Sequence, residues 1–324
     1  MLKVGLVGIG GMGGVHYNVY RRMNDAQVVA VADVRVDMAR EKVAGTETRV
    51  YATLDELLAA ESVDVIDICT PSYMHVDMAL KALAAGCHVL SEKPMSISTS
   101  DTGRVIEAAK RAGKLFMTAH VVRFMKPYAY LRSVIESGEL GRPVHIQMER
   151  ISDVPRWSWE DWMRDVKKSG GTPFDLSIHD LDFAYSVFGE PREVSGVYKE
   201  LDENNDYIVS NLIYDGFTVS VTGGWFNAPI KFNAAYHAIF ERGDIILERG
   251  KVYNSGKLVE LPEPEDRVSE NTGINIPRAH GYADEIEYFL DCIREGRTPE
   301  MVTPESSEGS VRLVERILAA AKKL

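Results

Sequence analysis

Three groups of residues combine types and spacings that do chemistry. The first is Asp175, His179 and Asp182, at i, i+4 and i+7. At about 100° per residue they fall between two apolar stripes of a helix spanning 174–188. One stripe is Phe174, Ile178, Leu181 and Tyr185; the other is Leu176, Phe183 and Val187. A helix apolar on two sides is mostly buried. Carboxylates and an imidazole placed there cost free energy unless they pair. Asp175 and His179 are one turn apart and within reach. A carboxylate beside a histidine raises its basicity and fixes its orientation. A satisfied core histidine with a structural partner has the same signature. Metal binding fits poorly, because Asp-x3-His supplies two ligands and no other His/Cys cluster stands out, so no metal is expected.

The second group is Ser91-Glu92-Lys93-Pro94. A lysine before proline has a restricted backbone, and the X-Pro bond is open to the cis form. That helps hold its amine in one place, at the crevice where a nicotinamide would lie. A surface lysine in a loop remains the other reading. The third group is Gly8-Ile9-Gly10-Gly11-Met12-Gly13, a G-x-G-x-x-G turn. Gly8 allows the tight turn, Gly10 lets backbone approach a pyrophosphate, and Gly13 lets helix and strand pack closely. The helix N-terminus that follows offers unpaired N–H groups to phosphate. Asp33 stands 20 residues after Gly13. Its carboxylate accepts hydrogen bonds from ribose hydroxyls and repels a 2′-phosphate, which favours NAD. Arg35, two residues on, can pair with a 2′-phosphate, so NADP is not excluded.

These groups need particular elements beneath them. Over residues 1–119, short apolar strands (2–8, 27–33, 63–70, 87–91, 115–119) alternate with helices (13–23, 36–43, 53–60, 75–85, 98–111). That alternation means βαβ units and a doubly wound parallel sheet. Thr53 with Glu56 forms a capping box. In such a sheet ligands bind beyond the carboxyl ends of the strands, where the glycine turn, Asp33 and Lys93 all fall. After about residue 123 the pattern changes. A helix near 127–137, a half-exposed strand at 144–151, a Trp-rich loop and the 174–188 helix precede a run of strands. Segments 208–214 and 217–222 flank Asp215-Gly216 as a hairpin; 232–241 with 244–248, and 251–254 with 258–261, read likewise. Two helices close the chain, near 282–295 and 305–323. The expected architecture is a cofactor domain, 1–121, and an α+β domain with a large, mainly antiparallel open sheet, 122–324. In 217–222, Phe217, Val219 and Val221 share one face, and Thr218, Ser220 and Thr222 the other. That mildly polar face meets either water or another subunit.

Composition sets the outer bounds. At 324 residues the chain spans about two domains. A net charge of −11 argues against nucleic acid and anionic membranes as partners. Three scattered cysteines, Cys69, Cys87 and Cys292, suit a reducing compartment, the cytoplasm. No window approaches about 18 consecutive apolar residues. The N-terminus reads as mature protein rather than a signal peptide.

Taken together, the motifs resemble the Gfo/Idh/MocA family, the glucose–fructose oxidoreductase and inositol dehydrogenase group, over essentially the whole chain. They are the glycine turn with Gly13-Gly14-Val15-His16, then Thr70-Pro71-Ser72-Tyr73-Met74-His75. Ala85-Gly86-Cys87-His88-Val89 follows, running into Glu92-Lys93-Pro94, and last comes Asp175-x-Ser177-x-His179-x-x-Asp182. Ser177 stands where the family usually has glycine. Arg123-Phe124 and Gly170-Gly171 also match. The resemblance implies an NAD(P)-dependent oxidoreductase that moves a hydride between the nicotinamide and a secondary hydroxyl of a sugar, cyclitol or sugar derivative. A redox-neutral enzyme with tightly bound NAD, or a non-catalytic NAD-binding protein, are its alternatives. It implies Lys93, Asp175 and His179 as catalytic residues. Gly8, Gly10, Gly11, Met12, Gly13, Asp33, Val34, Arg35, Thr70, Pro71, His75, Glu92 and Lys93 are the expected cofactor contacts. Lys93, Arg123, Trp162, Asp175 and His179 are expected at a small polyhydroxylated substrate, with Trp157, Arg164 and His280 as further candidates. It also implies a homodimer or homotetramer formed through the C-terminal sheet.

Overall fold

The structure is a computed structural model and describes residues 1–200, 202, 205–262 and 281–324. The described residues form two compact units: Met1–Val121 with Gly281–Glu308, and 122–262 with Gly309–Leu324.

The first unit runs β1 (Leu2–Val7), α1 (Gly11–Tyr20), β2 (Ala26–Ala32), α2 (Val36–Lys42), β3 (Arg49–Tyr51) and α3 (Leu54–Ala60). It continues with β4 (Val65–Ile68), α4 (His75–Ala84), β5 (His88–Glu92), α5 (Thr99–Ala112) and β6 (Phe116–Ala119). The strands lie in the order β3-β2-β1-β4-β5-β6 and every pairing is parallel. A doubly wound sheet is buried on both faces, and β4 and β6 are accordingly buried at every residue. β3 escaped the sequence reading because its three residues contain no buried side chain. At the start of α3, Thr53 Oγ1 accepts the Glu56 N–H at 3.2 Å, while Glu56 Oε2 accepts the Ala52 N–H at 3.1 Å. The capping box thus closes one residue earlier than the reciprocal form.

The second unit holds α6 (Lys126–Ser137), β7 (Pro143–Asp153), a single turn α7 (Val166–Ser169), a π-helical turn Pro173–Ser177 and α8 (Ile178–Phe188). Strands β8 (Glu193–Lys199), β9 (Asn205–Ile213), β10 (Thr218–Phe226), β11 (Asn233–Phe240), β12 (Gly243–Glu248), β13 (Lys251–Asn254) and β14 (Lys257–Val259) follow. The chain then forms α9 (Tyr282–Glu295), α10 (Pro304–Ala320) and β15 (Ala321–Lys323). The nine-stranded order is β14-β13-β12-β11-β7-β10-β9-β8-β15. Six of its joins are antiparallel; β7/β10 and β8/β15 are parallel, so the sheet is mixed. The two parallel joins bring together strands distant in sequence, which hairpin signals do not reveal. On β10, Val219 and Val221 are fully buried, and the π-helical turn and α8 pack on this strand. Thr218, Ser220 and Thr222 lie half-exposed on the opposite face.

A division at residue 121 assigns everything later to the second domain. Residues 281–308 instead pack within the first unit. Tyr282, Ile286, Phe289 and Leu290 give α9 a buried apolar face. That face needs a partner, and α9 packs on α1 with the Tyr282 ring 6.0 Å from that of His16. Arg294 fixes the end of α9 to Asp25 at 2.6 Å.

Candidate active site

In the first unit the expected cofactor residues gather at the carboxyl ends of β1, β2, β4 and β5. The turn after β1 needs its glycines. Gly8 has φ +82°, and a Cβ on Gly13 would lie 1.8 Å from the Gly8 carbonyl oxygen. α1 then begins at Gly11 and Met12 with no side-chain cap. Its first-turn N–H groups are left for an anion. Asp33, just past β2, is 7% exposed. Its Oδ2 accepts the Ile9 N–H at 3.0 Å and its Oδ1 the Arg35 N–H at 2.9 Å. The Arg35 Nε lies 3.4 Å from the same carboxylate. Val34 between them is exposed. Lys42 was not singled out from the sequence, because a basic residue ending an exposed helix reads as solvated. Its Nζ donates to the Ile9 and Gly10 carbonyls at 2.7 and 2.9 Å, clasping the glycine turn. Burial, aided by Arg35, lowers its pKa.

Past β4 and β5, Thr70, Pro71 and Lys93 are half-buried, and the Lys93–Pro94 bond is cis. Two residues expected at the cofactor are committed elsewhere. The His75 ring is 1% exposed, with Nδ1 2.8 Å from the Pro94 carbonyl and Nε2 2.9 Å from the Thr70 carbonyl. Burial lowers its pKa. It ties the segment after β4 to the turn after β5. Glu92 points inward at 7% exposure, and its Oε2 accepts the Lys93 N–H at 3.1 Å. Both residues shape the cradle.

In the second unit, the Asp/His stripe divides. Asp175 lies in the π-helical turn and His179 in the first turn of α8, and both are half-buried. Asp182 is fully buried and takes the Arg123 Nε and Nη2 at 2.8 and 2.6 Å and the Ser310 hydroxyl at 2.7 Å. Arg123 is therefore a correction: expected at the substrate, it is 3% exposed and its fork grips Asp182. Asp180, also fully buried, pairs with Arg150 at 2.9 Å and accepts the Tyr128 hydroxyl at 2.9 Å. The sequence reading did not single out Asp180, whose partners Arg150 and Tyr128 lie 30 and 52 residues away.

Two further contacts hold this turn. Asp206 accepts the Thr172 N–H at 2.9 Å and its hydroxyl at 2.7 Å. Burial, with Glu200 and Asp175 nearby, raises its pKa to about 6 against the Thr172 donors. Ser177 is accommodated by Gly223 on β10, where a Cβ would stand 2.0 Å from the Ser177 Oγ. Trp162 packs with Phe232 on a cluster of Val154, Met163, Leu176 and Trp225. Trp157 is 57% exposed, and Arg164 pairs with Asp161 at 2.7 Å. His280 lies outside the described residues.

The first unit also contains a cluster with metal-ligand types: His16, Asp67 and Cys69, with ligand atoms within 4.8 Å of one another. Its parts come from α1 and the end of β4, far apart in sequence. Hydrogen bonds among these groups account for their approach. Cys69, Cys87 and Cys292 are free thiols. Among the described residues, no helix is long and apolar enough to cross a membrane.

The geometry therefore offers a dinucleotide cradle with a lysine at its edge, and a half-buried carboxylate and imidazole on a buttressed helical turn. Comparison with known proteins agrees. Residues 2–120 match the GFO_IDH_MocA model, described as an oxidoreductase family with an NAD-binding Rossmann fold, and residues 128–251 match the GFO/IDH/MocA C-terminal domain. A myo-inositol 2-dehydrogenase of Thermotoga maritima is 25% identical over 313 residues, covering 92% of this chain and 90% of that protein. A D-glucoside 3-dehydrogenase of Escherichia coli is 31% identical over 197 residues, 59% of this chain and 55% of that protein. The fold is similar to a crystal structure of an Agrobacterium radiobacter oxidoreductase in complex with NAD+, L-tartaric acid and magnesium. That likeness has a TM-score of 0.81 at 19% identity, covering 99% of this chain and 96% of that one.

Proposed function

Because the chain belongs to the Gfo/Idh/MocA family of NAD-binding oxidoreductases, we propose that it oxidises a secondary hydroxyl of a sugar, cyclitol or sugar derivative. The observation that carries this reading is the first unit's cradle: an uncapped helix start, a buried acid at the end of β2, and Lys93 at the end of β5. The fit to NAD rests on two features. A Cβ at Gly13 would close the turn, and Asp33 is already held by the Ile9 and Arg35 N–H groups. The relatives named for inositol and glucoside substrates support the substrate class.

Bound NAD supplies the hydride acceptor. The α1 N–H groups would hold its pyrophosphate and Asp33 would accept from its ribose hydroxyls, while the Lys93 ammonium steadies negative charge on the substrate oxygen. His179 takes the hydroxyl proton, the task of a base that titrates near neutral pH. Asp175 orients the imidazole, and Trp162 lines the sugar. The protein works in the cytoplasm as a homodimer or homotetramer assembled through the nine-stranded sheet.

A panel of sugars, inositols and sugar nucleotides, followed by NADH absorbance, tests the reading. At least one polyol reduces NAD if it is right. NAD that survives purification while no substrate gives net NADH would identify a redox-neutral enzyme instead. Titration with NAD and NADP tests Asp33: tighter NADP binding would refute its assigned role.

A further inference from the structure

Beneath Lys93 lies a buried polar chain that the proposed chemistry does not use. His16, on α1, is fully buried. Its Nδ1 is 2.8 Å from Asp67 Oδ2, on β4. That carboxylate is itself anchored. Tyr20 donates to Oδ2 at 3.0 Å and the Cys69 thiol to Oδ1 at 3.5 Å. On the other side of the ring, Nε2 faces Glu92 Oε1 at 3.3 Å, an ion-pair contact. Neither of these two buried atoms has a hydrogen-bond partner among the described residues. The other Glu92 oxygen accepts the Lys93 N–H. The chain therefore runs Asp67–His16–Glu92–Lys93 and joins α1, β4 and β5. Glu285, on α9, acts on Tyr20, and the Tyr282 ring packs near the imidazole.

We propose that His16 is a positioning residue for Lys93: braced by Asp67, it holds the Glu92 carboxylate that fixes the backbone of the Glu92-Lys93-Pro94 turn. Two carboxylates flank one imidazole, so a cationic ring is the arrangement that balances the site. Burial opposes that charge, but Asp67 and Cys69 outweigh it and raise the pKa of His16 well above the ordinary value. Glu92 responds in kind. Burial pushes its pKa up, and His16 with Lys93 brings it below the usual range. The importance of this chain for turnover rests on the reading of Lys93 given above; its effect on the turn does not.

Two substitutions separate bracing from simple packing. In His16→Asn the side-chain amide reaches the Nδ1 position and keeps Asp67 but loses Glu92. In His16→Gln the amide reaches the Nε2 position and keeps Glu92. The full chain of each variant is treated with acetic anhydride, and acetylation of Lys93 is followed by peptide mass spectrometry relative to the exposed Lys251. Loss of the buried ion-pair contact with Glu92 is large enough to change the Lys93 rate by roughly threefold or more in His16→Asn, and His16→Gln restores it to within about 1.5-fold. Thermal melting and NAD titration accompany both. Unchanged Lys93 acetylation in a folded His16→Asn protein would overturn the proposal. So would equal changes in both variants that track their loss of melting temperature. Full turnover by Lys93→Ala would instead remove Lys93 from the chemistry while leaving the acetylation result to decide the role of His16.

Discussion

Lys93 and His179 are half-buried, whereas Glu92 beside the first and Asp180 and Asp182 beside the second are sealed from solvent. Replacing either by alanine is expected to cut turnover by roughly 10²–10⁴-fold, with NAD affinity largely kept. Steady-state kinetics beside a fluorescence titration of NAD checks both, and undiminished activity in both variants defeats the assignment. Arg123 carries the opposite expectation. Its guanidinium meets Asp182 through two hydrogen bonds in a fully buried setting. Arg123→Ala leaves that carboxylate uncompensated and is expected to cost about 3–5 kcal/mol of stability. Urea unfolding measures this; a raised KM with unchanged stability would return Arg123 to the substrate. Residue types alone did not separate these cases. Lys93, His179 and Arg123 are equally plausible at a polar site, and burial assigns them to different tasks.

At the scale of elements, the π-helical turn and strand β10 form one device. Ser177 is fully buried, and its hydroxyl has no hydrogen-bond partner among the described residues. The glycine opposite it on β10 makes room for that side chain. Gly223→Ala is expected to destabilise by about 1–3 kcal/mol through overpacking. Ser177→Ala removes an unsatisfied hydroxyl and is expected to gain about 1 kcal/mol. The pair Ser177→Gly with Gly223→Ala recovers most of the loss, so a double-mutant cycle in urea checks the coupling; additive effects would mean the two do not touch. The sequence placed the carboxylate and imidazole on this helix but not the turn's π character. An extra residue per turn leaves no mark in composition.

At the scale of the whole molecule, one acid links stability to pH. Asp206 titrates at about 6 in the fold against an ordinary 3.8. Between those values the native protein keeps a proton that the unfolded chain has released. This contribution is therefore full below about pH 4 and is lost as pH rises through about 6, an effect of up to about 3 kcal/mol. Asp206→Asn is expected to flatten the fall in stability between pH 4 and 7; urea unfolding at several pH values in both proteins reads the difference, and parallel curves would remove Asp206 as its source. Assembly belongs to the same scale. On the open sheet face, Thr218 sits between Ile213 and His145, and Ser220 between Asn211 and Gln147. Ile239, beyond His145, is 39% exposed and Ile213 38%. Light scattering is expected to find a dimer or tetramer, and Ser220→Lys to shift it toward monomer; a monomeric native protein defeats this.

The sequence by itself determined the parallel sheet, the glycine turn with its acid, and the candidate lysine and Asp/His pair, because each rests on local periodicity and spacing. Long-range packing decided the rest. Residues 281–308 belong with the first unit because the apolar face of α9 finds its partner on α1. His75 and Glu92 support the cradle, and Arg123 grips Asp182, because buried polar groups must find partners wherever the chain brings them. Such pairings join residues 19 to 76 positions apart (His75 with Pro94, Glu92 with His16, Arg123 with Asp182). Only the tertiary structure brings them together, since a linear pattern specifies which faces are apolar but not which charges meet.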